Sequence, residues 1–147
     1  MLNDKNFLNI AYELATASKC VSRQTGSVIV KWGRIVSTGY NGTPAGYEDG
    51  RDHFNWVYDS NTHHDWSYKY EIHAEMNAIV WAAREWISIE WATIYCTYEP
   101  CFDCTRAIIA AWLKRIVYRE RYKHHEWTEV EDFVKANGAV IEQVNKG

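Results

Sequence analysis

The 147 residues predict an α/β fold: a three-layer α-β-α domain built on a mixed five-stranded sheet. Two observations carry this expectation. Short runs of Val, Ile and Thr alternate with apolar stretches of helical period, in the order α-β-β-α-β-α-β-α-β. No internal repeat and no linker interrupts them, so residues 1–147 read as one domain of common size.

Phe7, Leu8, Ala11, Leu14, Ala15 and Ser18 recur at helical spacing and place a first helix over 4–18. Gly26 to Val30 and Arg34 to Gly39 are two β-branched runs, and their connector Lys31-Trp32-Gly33 suits a tight hairpin. From Asn41 to about Tyr70 periodicity disappears among glycines, His, Asp, Trp and Tyr, which predicts a long functional loop. Its aromatic part, from Tyr47, reads as packing against a neighbour more readily than as a cover for a site.

Residues 74–86 carry Met76, Ile79, Val80, Ala83 and Trp86 on one side and Ala74, Ala78, Trp81 and Ala82 on another. A helix apolar nearly all round is buried on more than one face, which points to subunit packing. Strands follow at 92–96 and 115–118, with a helix over 101–114 between them. A helix over 126–137, stopped by Asn137-Gly138, precedes a last strand at 139–144.

Hydrophobic residues at 47% and aromatics at 15% exclude wholesale disorder. Eight Trp are difficult to hide in one small domain, so some are expected at subunit contacts. A net charge of -3 without a Lys/Arg run argues against a nucleic acid polymer as partner. The N-terminus shows no secretory signal and no stretch suits a membrane span, which predicts a cytoplasmic protein. Four Cys, two in a C-x-x-C, fit metal-bound thiolates in a reducing compartment better than disulfides.

The chemistry concentrates in His73-Ala74-Glu75 and Pro100-Cys101-Phe102-Asp103-Cys104. One imidazole and two thiols spaced i, i+3 make a three-ligand zinc set with a position left open, and open zinc sites are catalytic. Cys101 and Cys104 open a predicted helix, whose N-terminal partial charge favours thiolates. Glu75 is placed to move protons. Structural zinc and a redox dithiol are the bland readings; a dithiol leaves His73 and Glu75 unexplained. H-x-E followed by P-C-x-x-C is a zinc deaminase signature.

On these residues the chain resembles the cytidine deaminase superfamily and, within it, the deoxycytidylate (dCMP) deaminases. Two further pieces are similar to that family: Ser18 through Val30, and the loop Gly39-Tyr40-Asn41-Gly42-Thr43-Pro44-Ala45-Gly46. The resemblance implies a cytidine-deaminase-like fold and hydrolysis of dCMP to dUMP and ammonia, which supplies thymidylate synthesis. It implies Zn2+ on His73, Cys101 and Cys104, proton shuttling by Glu75 and a sugar contact from Asn41. Family members are commonly hexamers, activated by dCTP with Mg2+ and inhibited by dTTP, although the family includes unregulated members. Gly39, Tyr40, Asn41, Gly42 and Gly46 would then shape both substrate pocket and effector site.

Arg23 is the candidate for the 5′-phosphate, through its planar fork of donors; the alternative is a solvated arginine. Tyr122 matches a family tyrosine that closes over the nucleotide, against simple packing. Some phage relatives carry a further structural zinc, so Cys20, His63, His64 and Glu71 raise a second metal set. A buried cysteine with solvated histidines is the reading favoured here. Cys96 reads as core, and His124 and His125 as exposed and chemically idle. Two rivals stand beside dCMP: a deaminase for another base (tRNA adenosine, cytidine or guanine), and a zinc-stabilised nucleotide-binding module without turnover. For a phage-encoded chain the compartment would be the host cytoplasm.

Overall fold

The computed structural model describes residues 1–122 and 127–145. Helix α1 (Asp4–Ala15) leads into β1 (Gly26–Lys31) and β2 (Arg34–Tyr40), followed by α2 (Gly50–Phe54), α3 (Ser60–Tyr70) and α4 (Ala74–Arg84). Then come β3 (Thr93–Tyr98), α5 (Phe102–Ala110), β4 (Arg115–Glu120), α6 (Trp127–Ala136) and β5 (Val140–Gln143). The strands form one sheet in the order β2-β1-β3-β4-β5. β1 runs antiparallel to β2 and β3, whereas β3, β4 and β5 are mutually parallel. The mixed five-stranded α/β architecture is as expected.

Alternation along the strands builds two cores, because successive side chains point to opposite faces. Val28, Val30, Tyr95 and Val117 meet Phe7, Leu8 and Ala11 of α1. Ile29, Ile94, Cys96, Ile116 and Tyr118 face the other way, toward Ala78, Ala82, Ile108, Val130 and Val134 of α4, α5 and α6. Cys96 is core, as expected, and burial drives its thiol pKa well up.

Helix α4 lies against β2 at unusually short range. A Cβ on Gly39 would sit 2.2 Å from the Ala74 carbonyl oxygen and 2.6 Å from the Ala78 nitrogen. Two serine hydroxyls fasten the pair: Ser27 Oγ donates to the Ala74 carbonyl at 2.9 Å and Ser37 Oγ to the Ala78 carbonyl at 2.7 Å. The buried line of α4 is therefore Ala74, Glu75, Ala78 and Ala82. The bulkier side expected to be buried is half-buried at Met76 and Ile79 and exposed at Val80, Ala83 and Trp86. Small residues win the sheet-facing side because only they permit this approach.

The stretch 41–70, expected as a loop, contains α2 and α3. Both start from an aspartate cap: Asp49 accepts from the Asp52 amide and Asp59 from the Asn61 amide. Helix α3, SNTHHDWSYKY, buries only His63 and Trp66, so it offers no apolar period to read. Its aromatics pack among themselves: Trp66 stacks on His53 at 4.6 Å and meets Phe54 edge-on at 5.3 Å. Elsewhere boundaries shift: α1 stops at Ala15 and α5 at Ala110, while β3 and β4 run on to Tyr98 and Glu120. Trp66 is buried, but Trp32, Trp56, Trp81, Trp86, Trp91 and Trp112 are exposed. His124 and His125 lie outside the described residues.

Candidate active site

Two helix N-termini converge on the metal-type residues. His73 is the N-cap of α4 and makes no side-chain capping bond, which leaves its ring free. Cys101 is the N-cap of α5 just after Pro100, and its Sγ accepts from the Cys104 amide at 3.5 Å. His73 Nδ1 lies 3.2 Å from Cys104 Sγ and 3.5 Å from Cys101 Sγ. Zinc bonds of about 2.0–2.3 Å in a tetrahedron imply ligand separations of roughly 3.5 Å, so this donor set fits zinc.

The same proximity sets the protonation of the three groups. Cys101 is pulled down to about 4, first by the proton that Cys104 donates to its sulfur, then by His73. Cys104 is pushed up as the holder of that shared proton. The Cys101 thiolate in turn raises His73 to about 8. Metal binding requires neutral imidazole and ionised thiols, so loading this site releases protons. Glu75, on the first turn of α4, is buried, and burial raises its carboxyl pKa.

These groups open on a cavity of about 310 Å³ bordered by Arg23, Asn41, His73, Glu75, Cys101 and Tyr122. Cys20, His63 and Glu71 border it too, so nine residues singled out from the sequence meet around one space, with Cys104 behind them, 1% exposed. The Arg23 guanidinium sits 4.7 Å from the ring centres of both Tyr98 and Tyr122, which stack on each other at 4.9 Å. Arg23 is thereby held by aromatic faces at the cavity rim. Asn41 is more engaged than its sequence context implied. Its Oδ1 accepts from the Thr25 amide at 2.8 Å and its Nδ2 donates to the Arg23 carbonyl at 2.8 Å. The amide therefore fixes the segment carrying Arg23, and keeps a second N–H and a second lone pair for a ligand.

Of the remaining loop residues, Gly39, Tyr40 and Gly42 border a separate recess of about 450 Å³ with Val80, Trp81 and Arg84. Gly46 lies outside it, exposed at φ 90°. Cys20, His63 and Glu71 converge: Cys20 Sγ is 3.4 Å from both His63 Nε2 and Glu71 Oε1, and those two atoms are 3.3 Å apart. All three are buried, which corrects the expectation of a solvated His63; it points inward from α3 against Phe54 and Tyr58, while His64 is exposed. Two groups were given no role from the sequence. Tyr98 gains meaning only from its stacking on Arg23, and Glu99 is fully buried in the cavity wall, 3.2 Å from Arg121 Nε.

Residues 1–120 match the family described as the cytidine and deoxycytidylate deaminase zinc-binding region. The deoxycytidylate deaminase of Enterobacteria phage T4 is 38% identical over 157 residues, covering 84% of this chain and 81% of that protein. The deoxycytidylate deaminase of Mycobacterium phage D29 is 36% identical over 120 residues, covering 78% of this chain and 92% of the relative. Among solved structures, the dCMP deaminase of cyanophage S-TIM5 in complex with dCMP and dUMP is 28% identical. It superposes with a TM-score of 0.77 and covers 95% of both chains. With its sheet order, its zinc-type donor set and these relatives in agreement, the chain belongs to the deoxycytidylate deaminases of the cytidine deaminase superfamily.

Proposed function

We propose that this chain, acting as one domain over residues 1–147, binds zinc through His73, Cys101 and Cys104 and hydrolyses dCMP to dUMP and ammonia. The observation that carries the reading is the meeting of this donor set, buried Glu75 and rim-held Arg23 around one cavity. Zinc, when bound, supplies a Lewis acid that makes water nucleophilic near neutral pH. Glu75 accepts the proton of the attacking water, delivers it to the pyrimidine ring nitrogen and assists departure of the amino group. Its raised pKa suits a group that must both take and give a proton. Arg23 receives the 5′-phosphate, Tyr122 closes against the nucleotide, and Asn41 meets the sugar with its uncommitted donor and acceptor. The product feeds thymidylate synthesis in the cytoplasm, or the host cytoplasm for a phage-encoded chain.

Ammonia release from dCMP, CMP, deoxycytidine and adenosine, assayed side by side, tests the substrate. dCMP should be turned over best, and a preference for deoxycytidine would overturn the reading. Glu75→Gln separates enzyme from binding module: zinc and dCMP binding should persist while turnover drops by several orders of magnitude.

The buried Cys20, His63 and Glu71 favour a second zinc, since Glu71 Oε2 is buried without a hydrogen-bond partner among the described residues. Metal analysis should then give two zinc ions per chain and one in Cys20→Ser. Effector control belongs to the same proposal: dCTP with Mg2+ activating, dTTP inhibiting. Gly39, Tyr40 and Gly42 would line the effector site, and Gly46 would shape its loop. The recess, with Arg84 beside it, is of ligand size. A homo-oligomer, a hexamer by resemblance, would cover the exposed side of α4. Turnover with and without dCTP, and mass in solution, test these two points.

A further inference from the structure

Among the described residues, six non-glycine residues hold a left-handed backbone: Trp32 (φ 56°), Asn55 (50°), Trp56 (65°), Trp86 (60°), Trp91 (68°) and Trp112 (66°). Asparagine tolerates that region and glycine is at home there, but for a bulky side chain it is an outlier. Five of the six are tryptophan.

Three helices end in one motif and supply an internal comparison. After α6, the Gly138 amide (φ 73°) donates to the Lys135 carbonyl and the Ala139 amide to that of Val134. This paired closure is the Schellman ending, whose left-handed residue is usually glycine. After α4, Trp86 donates to Ala83 and Ile87 to Ala82; after α5, Trp112 donates to Ile109 and Leu113 to Ile108. The same geometry thus carries glycine once and tryptophan twice. Trp32 precedes Gly33 (φ 74°) between the paired residues Lys31 and Arg34, in a two-residue turn that takes Asn-Gly, Asp-Gly or Gly-Gly. Trp91 is the third residue of a turn closed by the Ala92 amide on the Ile89 carbonyl, the glycine position of a type II turn. Trp56 follows α2 directly after left-handed Asn55.

Trp32 and Trp86 make no ring contact among the described residues; Trp56 meets Arg51, and Trp91 and Trp112 meet each other and Lys114, all at the surface. The five rings are 89%, 70%, 95%, 62% and 52% exposed at 32, 56, 86, 91 and 112. Trp66 and Trp81, by contrast, lie inside helices, and Trp66 is buried in an aromatic cluster. A cause that acts on codons rather than on packing fits this distribution. UGA differs by one base from the tryptophan codon UGG and from the glycine codon GGA. Some cells have reassigned it from stop to tryptophan, others to glycine.

We infer that positions 32, 56, 86, 91 and 112 are encoded by UGA and are glycine in the protein as its own cell makes it. Moving five residues from the eight Trp to the eight Gly leaves three and thirteen. Peptide mass spectrometry of the chain from its natural source, read beside the gene, should show glycine at all five and tryptophan at 66 and 81. Tryptophan at the five positions, or UGG codons there, overturns the inference. The physical half is tested at Trp32 and Trp86, whose rings have no aromatic or cationic partner among the described residues. Trp32→Gly and Trp86→Gly should each raise Tm by about 2–4 °C, whereas Trp32→Ala and Trp86→Ala, still left-handed L-residues, should not. A fall in Tm in both glycine variants overturns the backbone argument.

A separate observation concerns Tyr98. Its ring supports Arg23 at 4.7 Å and stacks on Tyr122 at 4.9 Å, which holds it in place. We infer that Tyr98 is a positioning residue that aims Arg23 at the substrate's phosphate, an inference that rests on the dCMP reading. Tyr98→Leu should raise KM for dCMP about three- to tenfold at unchanged kcat, leave deoxycytidine turnover alone, and be rescued by Tyr98→Phe. If Arg23→Ala raises that KM and Tyr98→Leu does not, Tyr98 has no such role. If Arg23→Ala leaves it unchanged, the phosphate reading itself falls.

Discussion

Arg23 shows how one side chain acquires a task from its surroundings. In the sequence it is an arginine among polar neighbours. In the fold its guanidinium rests against two stacked tyrosines, and its backbone carbonyl is held by Asn41. A preoriented guanidinium loses less freedom on meeting a phosphate than a solvated one. Arg23→Ala should therefore raise KM for dCMP about tenfold or more while zinc content is unchanged, checked by steady-state kinetics beside metal analysis. Glu75 is the complementary case. It was legible because H-x-E is followed in order by P-C-x-x-C, each opening a helix; H-x-E alone occurs by chance in many chains. Tyr98 was not legible, since nothing in a strand sequence says which ring will face a loop residue 75 positions earlier.

At the scale of elements, the close seating of α4 on β2 governs where His73 and Glu75 stand. Gly39→Ala would force a methyl against the Ala74 and Ala78 backbone. It should cost about 1–3 kcal/mol of stability and reduce turnover by shifting the helix start, measured by denaturation and by kcat at saturating dCMP. The strands and α1, α4, α5 and α6 could be read from the sequence because each carries a local apolar or β-branched pattern. Helices α2 and α3 could not. They are held by two aspartate caps and a knot of aromatic rings, and contacts between rings far apart in the chain leave no local period. Of the two apolar sides of α4, the small-residue side takes the sheet because bulk is buried only where there is room for it.

Across the whole molecule, one ionic cluster ties the first helix to the far strands. Asp4 accepts from Arg115 Nη1 at 2.9 Å and Nη2 at 2.7 Å and from the Tyr95 hydroxyl at 2.7 Å, while Arg115 Nε donates to Glu142 at 2.6 Å. The guanidinium of Arg115 holds the Asp4 carboxyl below its ordinary 3.8. A depressed folded pKa means stability present above the unfolded value and lost as pH falls through the folded one. Asp4→Asn should therefore lower Tm at pH 7, and the difference should begin to close only below about pH 3.8. A gap that is constant down to pH 2 would remove the ion pair from the account.

The donor set at the cavity floor comes from two places in the chain, His73 ahead of α4 and the cysteines at α5, with β3 between them. Neither stretch supplies all three ligands alone, so the complete donor set forms only after the central strand has slotted between β1 and β4. Uptake of an ion at all three ligands should thus certify completed topology: half-assembled chains should not reach full affinity.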